Sequence, residues 1–116
     1  MERDARSTLT AYFESWRAND LDRYQAVLVD DVTFKGPLGE VQGAEACRQA
    51  IENLAKITTG IEVQKMIVDG GDVLTWFELQ TSVAPAMPVA NWAQVTNGQI
   101  TRIRVTFDPR EMLAGG

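Results

Sequence analysis

Val73-Leu74-Thr75-Trp76-Phe77-Glu78-Leu79-Gln80-Thr81-Ser82-Val83 alternates with a period of two. Val73, Thr75, Phe77, Leu79, Thr81 and Val83 share one face, and Leu74, Trp76, Glu78, Gln80 and Ser82 share the other. That period is the mark of a half-buried strand. Ile61 to Val68, Val89 to Thr96 and Ile100 to Phe107 read the same way, so four strands follow in a row after Gly60. Gly70-Gly71-Asp72 and Asn97-Gly98 join three of them as hairpins, and Asn-Gly favours a tight two-residue turn. Pro85 and Pro88 fall between the second and third strands, where they mark a loop or an edge. In the third strand Asn91, Ala93 and Val95 share a face. In the last strand Ile103, Val105 and Phe107 share one face, and Arg102, Arg104 and Thr106 the other. The Val73 set is expected to look inward. The opposite set mixes Trp76 with polar residues, which suits a sheet face covered by a partner subunit better than open water.

Upstream of Gly60 the period changes to 3.6. Leu9, Tyr12, Phe13 and Trp16 stand at i, i+3, i+4 and i+7, one face of a helix over about residues 4–18. Asp20 is a good N-cap for a second helix burying Leu21, Tyr24, Val27 and Leu28 and ending near Asp30-Asp31. A short β-run, Val32-Thr33-Phe34-Lys35, is stopped by the turn Gly36-Pro37-Leu38-Gly39. Gly43-Ala44-Glu45 opens a third helix with Cys47, Ala50, Ile51 and Leu54 on its apolar face, closed by Thr58-Thr59-Gly60. Helices first and an antiparallel meander last predict an α+β fold, with the helices packed on one face of a curved sheet.

With 116 residues the chain is expected to form one domain, residues 1–116, with a core that needs no disulfide or metal staple. The formal net charge is −5, from 16 acidic and 11 basic residues. No run of Lys or Arg builds a positive face, so neither nucleic acid nor a membrane surface is an expected partner. Cys47 is the single cysteine, so an intrachain disulfide is excluded. The chain has no His, which removes the commonest metal ligand and general base. The charged start Met1-Glu2-Arg3-Asp4 does not resemble a secretory signal. No apolar run is long enough to span a membrane. The expected setting is cytoplasmic, with neither metal nor cofactor.

Several segments, taken in order, carry a family resemblance: Tyr12, Asn19-Asp20-Leu21-Asp22, Asp30-Asp31-Val32-Thr33, Gly36-Pro37-Leu38-Gly39, Gly43, Asn97-Gly98, and Ile100-Thr101-Arg102-Ile103 through Phe107-Asp108-Pro109-Arg110-Glu111. The whole chain resembles the SnoaL-like proteins of the nuclear transport factor 2-like superfamily, which includes ketosteroid isomerases, limonene-type epoxide hydrolases and polyketide cyclases. The resemblance implies a cone-shaped α+β barrel, three N-terminal helices packed on a curved antiparallel sheet. It also implies an apolar pocket for a small hydrophobic molecule and a homodimer formed through the outer sheet face.

In ketosteroid isomerases a Tyr on the first helix and a protonated acid on a meander strand form an oxyanion hole, and a separate Asp is the base. By resemblance the Tyr falls on Tyr12, the donor acid on Asn91 and the base on Gly36, which can transfer no proton. The Asp-Arg-Asp set of the epoxide hydrolases falls on Phe77, Leu79 and Val105, and their water-holding Tyr and Asn on Phe34 and Gly36. That chemistry is therefore not expected.

Each candidate also has a plainer reading. Tyr12 on an apolar helix face can be a core tyrosine with a satisfied hydroxyl. An inward Asn91 needs a polar partner, a water or a ligand. Trp16, Phe34, Phe77, Ile103 and Phe107, with Gly36, form pocket walls or simply core. Asp108 reads as a strand-end residue, Cys47 as a small core residue, and Lys35 and Glu40 as solvated charges at the pocket mouth. The sequence thus supports a pocket protein for a small apolar carbonyl or phenol-like metabolite. It would act as an isomerase or cyclase-type enzyme through Tyr12 and Asn91, or as a non-catalytic binding or protein-interaction domain.

Overall fold

The computed structural model describes residues 4–115. Of the charged N-terminal start, Met1-Glu2-Arg3 lies outside them. Helix α1, Ala5–Arg17, begins where the Asp4 carboxylate accepts from the Ser7 N–H at 2.7 Å. It buries Leu9, Tyr12, Phe13 and Trp16, the stripe its spacing predicts. Helix α2, Leu21–Ala26, is capped by Asp20, which accepts from the Arg23 N–H. Strands β1, Leu28–Gly36, and β2, Gly39–Gln42, follow, then α3, Ala44–Ala55. The meander consists of β3, Thr58–Asp69, β4, Asp72–Thr81, β5, Met87–Thr96, and β6, Gln99–Thr106. A short α4, Arg110–Gly115, closes the described chain.

The six strands lie in the order β2-β1-β6-β5-β4-β3. The curved sheet is open, with β2 and β3 at its edges, and α1, α2 and α3 cover its inner face. Asn97 and Gly98 both take positive φ, 53° and 77°, in the turn between β5 and β6. Two consecutive left-handed residues are what this hairpin turn requires, and Asn and Gly tolerate them best.

The structure corrects the sequence reading in four places. The second helix stops at Ala26 rather than near Asp30. The Ile100 N–H donates to the Val27 carbonyl at 2.7 Å, and Leu28 pairs with Ile100, so β6 captures the chain before the helix can continue. The sheet is mixed rather than antiparallel, because β1 runs parallel to β6. A parallel pair needs a long connection, and the rest of the sheet together with α3 supplies it. Thr58-Thr59-Gly60 begins β3 instead of ending α3, although the Thr58 hydroxyl does donate to the Leu54 carbonyl at 2.8 Å. Finally, a fourth helix, α4, follows the sheet. The faces of the meander are as expected: Val73, Thr75, Phe77, Leu79 and Thr81 are buried, while Leu74 and Trp76 are exposed.

Candidate functional site

Between the helices and the concave face of the sheet lies a cavity of about 420 Å³. Helix α1 contributes Tyr12 and Trp16, one turn apart, and α2 contributes Tyr24. Helix α3 supplies Cys47, Ala50, Ile51 and Leu54, and α4 supplies Met112. From the sheet come Phe34 and Gly36 on β1, Phe77 and Leu79 on β4, Val89 and Asn91 on β5, and Val105 on β6, with Phe107 just beyond it. The wall is almost wholly apolar because each strand turns its period-two face inward and each helix its period-3.6 stripe. The lining residue with a charged side chain is Glu40, at the mouth, where it pairs with Lys35 at 3.7 Å. Both side chains are largely exposed.

Aromatic packing fixes the floor. The rings of Tyr12 and Tyr24 stand 5.1 Å apart, those of Phe13 and Phe77 5.0 Å apart, and those of Trp16 and Phe77 meet edge-on at 5.9 Å. Ring pairs at these separations add to the burial energy and restrict ring motion. The hydroxyls of Tyr12 and Tyr24 therefore sit in a defined place.

Burial pushes the Tyr12 phenol up to about 12, partly offset by its polar neighbours Tyr24 and Asn91. Tyr24, itself buried, is held well above its ordinary value, chiefly by desolvation. Both phenols are therefore neutral, and a buried neutral phenol can donate its proton in a hydrogen bond.

Three buried side-chain atoms lack a hydrogen-bond partner among the described residues: Trp16 Nε1, Thr75 Oγ1 and Asn91 Oδ1. Two of the three belong to residues that line the cavity. Buried polar atoms are paired in the great majority of cases, so orphans clustered at one cavity are informative.

Tyr12, Asn91, Trp16, Phe34, Gly36, Phe77 and Phe107 all lie on the cavity wall. Ile103 does not. It is fully buried in the core, and Val105, on the same face of β6, takes the lining position. Sequence reasoning placed Tyr24 in the core and missed its place on the cavity wall beside Tyr12. Its only signal was its place on the apolar face of α2. Cys47 is buried as expected, and burial raises its thiol pKa. Asp108 grips Arg110, accepting from its backbone N–H at 3.0 Å and its guanidinium at 2.6 Å, a strand-end role away from the cavity.

The sequence profile of a family described as the SnoaL-like domain matches residues 9–103. Among solved structures, a protein from Kribbella flavida described as of known function is 27% identical, with a TM-score of 0.88 over 93% of this chain and 89% of that one. An LEH-like epoxide hydrolase of M. tuberculosis is 22% identical, with a TM-score of 0.79, covering 96% of this chain and 87% of its own. A steroid delta-isomerase from Pseudomonas aeruginosa is 18% identical, with a TM-score of 0.81, covering 99% and 87%. No curated protein matches the chain significantly.

Proposed function

The chain belongs to the SnoaL-like domain family, and we propose that it receives a small, apolar, oxygen-bearing metabolite, a ketone or phenol-like molecule, whose oxygen accepts the Tyr12 proton. The observation that carries this reading is the placement of Tyr12, Tyr24 and Asn91, all buried, on one otherwise apolar cavity wall, with the two tyrosine rings 5.1 Å apart. A neutral phenol in a dry pocket is a strong fixed donor. Trp16, Phe34, Phe77 and Phe107, with Gly36, would hold the carbon skeleton. Ile103 would support this wall from behind. In an enzyme of this design Tyr12 and Asn91 would stabilise the developing oxyanion of an isomerisation or cyclisation. One donor of that kind is worth about 3–4 kcal/mol in the transition state.

A specific observation favours a second reading, a non-catalytic binding domain. Glu40, the carboxylate on the cavity wall, is exposed and paired with Lys35, and by the family resemblance the base of the isomerases would fall on Gly36, which carries no titratable group. Proton abstraction needs a group within hydrogen-bond reach of the substrate.

We also propose a cytoplasmic homodimer. Ile67, Leu74 and Trp76 are each about half exposed, at 52, 51 and 48%, and Trp92 is 38% exposed on the outer sheet face. Ile67, Leu74 and Trp92 pair in one row across β3, β4 and β5. Contiguous exposed apolar surface of this kind marks an interface.

Calorimetric titration with an apolar cyclic ketone and its parent hydrocarbon tests the binding reading. The ketone should bind more tightly, and Tyr12→Phe should remove most of that difference, up to about tenfold. Equal affinity for ketone and hydrocarbon would refute it.

A further inference from the structure

Helix α4 has six residues, too few for a helix to persist in water without tertiary support. Among its residues 110–114, Arg110, Glu111, Leu113 and Ala114 are exposed, whereas Met112 is buried and lies on the cavity wall. Its first turn is set by two bonds. The Asp108 carboxylate accepts from the Arg110 N–H at 3.0 Å, and the Leu113 N–H donates to the Pro109 carbonyl at 2.9 Å. The helix is thus docked on the body through the Met112 side chain and capped by Asp108.

The topology places α4 at the mouth of the cavity. Strands β1 and β6 run parallel and end on the same side: Lys35 pairs with Arg104, and a Cβ on Gly36 would stand 3.7 Å from that of Val105. From that end β1 turns through Gly36-Pro37-Leu38-Gly39, and β6 continues through Phe107 and Asp108 into α4. Pro37 and Leu38 of the turn, and Phe107 and Met112 after β6, all line the cavity.

Resting on the reading that the cavity receives a small apolar molecule, we propose that α4 is a lid with Met112 as its plug. It is hinged between Thr106, where β6 ends, and Arg110, and the ligand passes between α4 and the Pro37-Leu38 turn. Hinges of this kind are a few residues at the end of an element. An element docked through one buried side chain opens at a small fraction of the cost of global unfolding, so the rest of the core stays folded. Methionine suits a plug, because its unbranched thioether chain adapts to ligands of different outline. Closed, the lid keeps water from the apolar wall and from what it holds.

Two readouts test the lid. Stopped-flow fluorescence with N-phenyl-1-naphthylamine, a neutral apolar dye, measures entry and exit. Labelling of Cys47, on the cavity wall, by N-ethylmaleimide measures opening with no ligand present. Asp108→Ala removes the cap without touching the wall, Met112→Ala removes the plug, and Leu113→Ala is the control on the exposed side of the same helix, where Leu113 is 64% exposed. Asp108→Ala should raise dye entry and exit together, each about fivefold, as expected for a lost helix cap. The affinity should stay within about twofold, because a shift in the closed–open balance common to free and bound protein cancels in Kd. Cys47 labelling should quicken by a similar factor and keep a weak urea dependence, the mark of local rather than global opening. Met112→Ala should quicken all three rates further, and Leu113→Ala none. If Asp108→Ala leaves the dye and Cys47 rates at parent values, α4 is a fixed wall and the proposal is overturned, even where Met112→Ala speeds exit through a lost wall contact. If the parent does not bind the dye, the apolar-pocket reading fails, and the Cys47 rates decide the lid on the same terms.

Discussion

Thr75 on β4 stands directly opposite Asn91 on β5, and the hydroxyl of one and the carbonyl oxygen of the other are both buried without a partner among the described residues. Directly opposed side chains on one sheet face have Cβ atoms about 5 Å apart. Two unsatisfied polar groups therefore meet at one point on the concave face. A structure optimised only for stability would carry apolar residues there.

Thr75→Val tests that cost. Valine has nearly the shape of threonine and removes the orphaned hydroxyl, so the variant should be more stable by about 1 kcal/mol in urea denaturation. Ligand affinity should be unchanged, because Thr75 is not on the cavity wall. A loss of stability would mean that the hydroxyl is satisfied in solution by a buried water.

The chain has two tyrosines, Tyr12 and Tyr24, and both are buried with raised pKa values. A phenol whose folded pKa exceeds its unfolded value near 10 holds its proton more tightly in the native state. Its contribution to stability is full below pH 10 and is lost as pH rises through 12. For Tyr12 this amounts to about 2–3 kcal/mol. Tyrosinate absorbance near 295 nm should stay flat past pH 10 and rise only as the far-ultraviolet dichroism collapses. A native-state titration midpoint at pH 10 would contradict the burial of the pair.

Trp76→Glu should shift the protein from dimer to monomer in sedimentation, toward 12.8 kDa, at micromolar concentration. A charge in the centre of a desolvated interface is a severe penalty. The fold should survive, because Trp76 lies on the solvent side of β4. An unchanged mass would place the interface elsewhere, and a parent protein that is already monomeric would remove the dimer.

Cys47 should react slowly with a polar thiol reagent in the native state and rapidly in urea, since burial raises its pKa and blocks access. Bound ligand should slow it further because Cys47 lines the cavity. Fast native labelling would show that the cavity opens beside α3.

Gly36→Asp should supply the base that the pocket lacks. A Cβ at this position would sit 3.3 Å from the Phe34 ring and 3.7 Å from Val105, so a small shift of Phe34 accommodates it. The backbone there is not left-handed, so an L side chain causes no strain. The parent is expected not to isomerise a β,γ-unsaturated ketone. The variant should do so weakly, with a rate that rises with pH as the new carboxyl ionises and falls in Tyr12→Phe. A folded variant that binds the ketone but shows no turnover would argue against Tyr12 as an oxyanion donor.

Local periodicity determined much of this protein. The inward set of β4, the Tyr12–Trp16 stripe and the Asn97-Gly98 turn each depend on residues only a few positions apart, so the sequence alone displays them. Periodicity also turned Tyr12 and Asn91 inward, while their place on a pocket wall was what the family resemblance implied. Tertiary structure decided the rest. Leu28 could read as the end of a helix until the Ile100 N–H, more than seventy residues away in the chain, claimed the Val27 carbonyl. The parallel β1–β6 pair, the descent of Met112 onto the cavity and the packing of Tyr24 against Tyr12 are likewise contacts between separate segments. Their geometry is fixed by how the helices and strands pack, which no short stretch of sequence encodes. The same reason explains Ile103 and Val105: both share one face of β6, and only the curvature of the sheet sends one into the core and the other to the cavity.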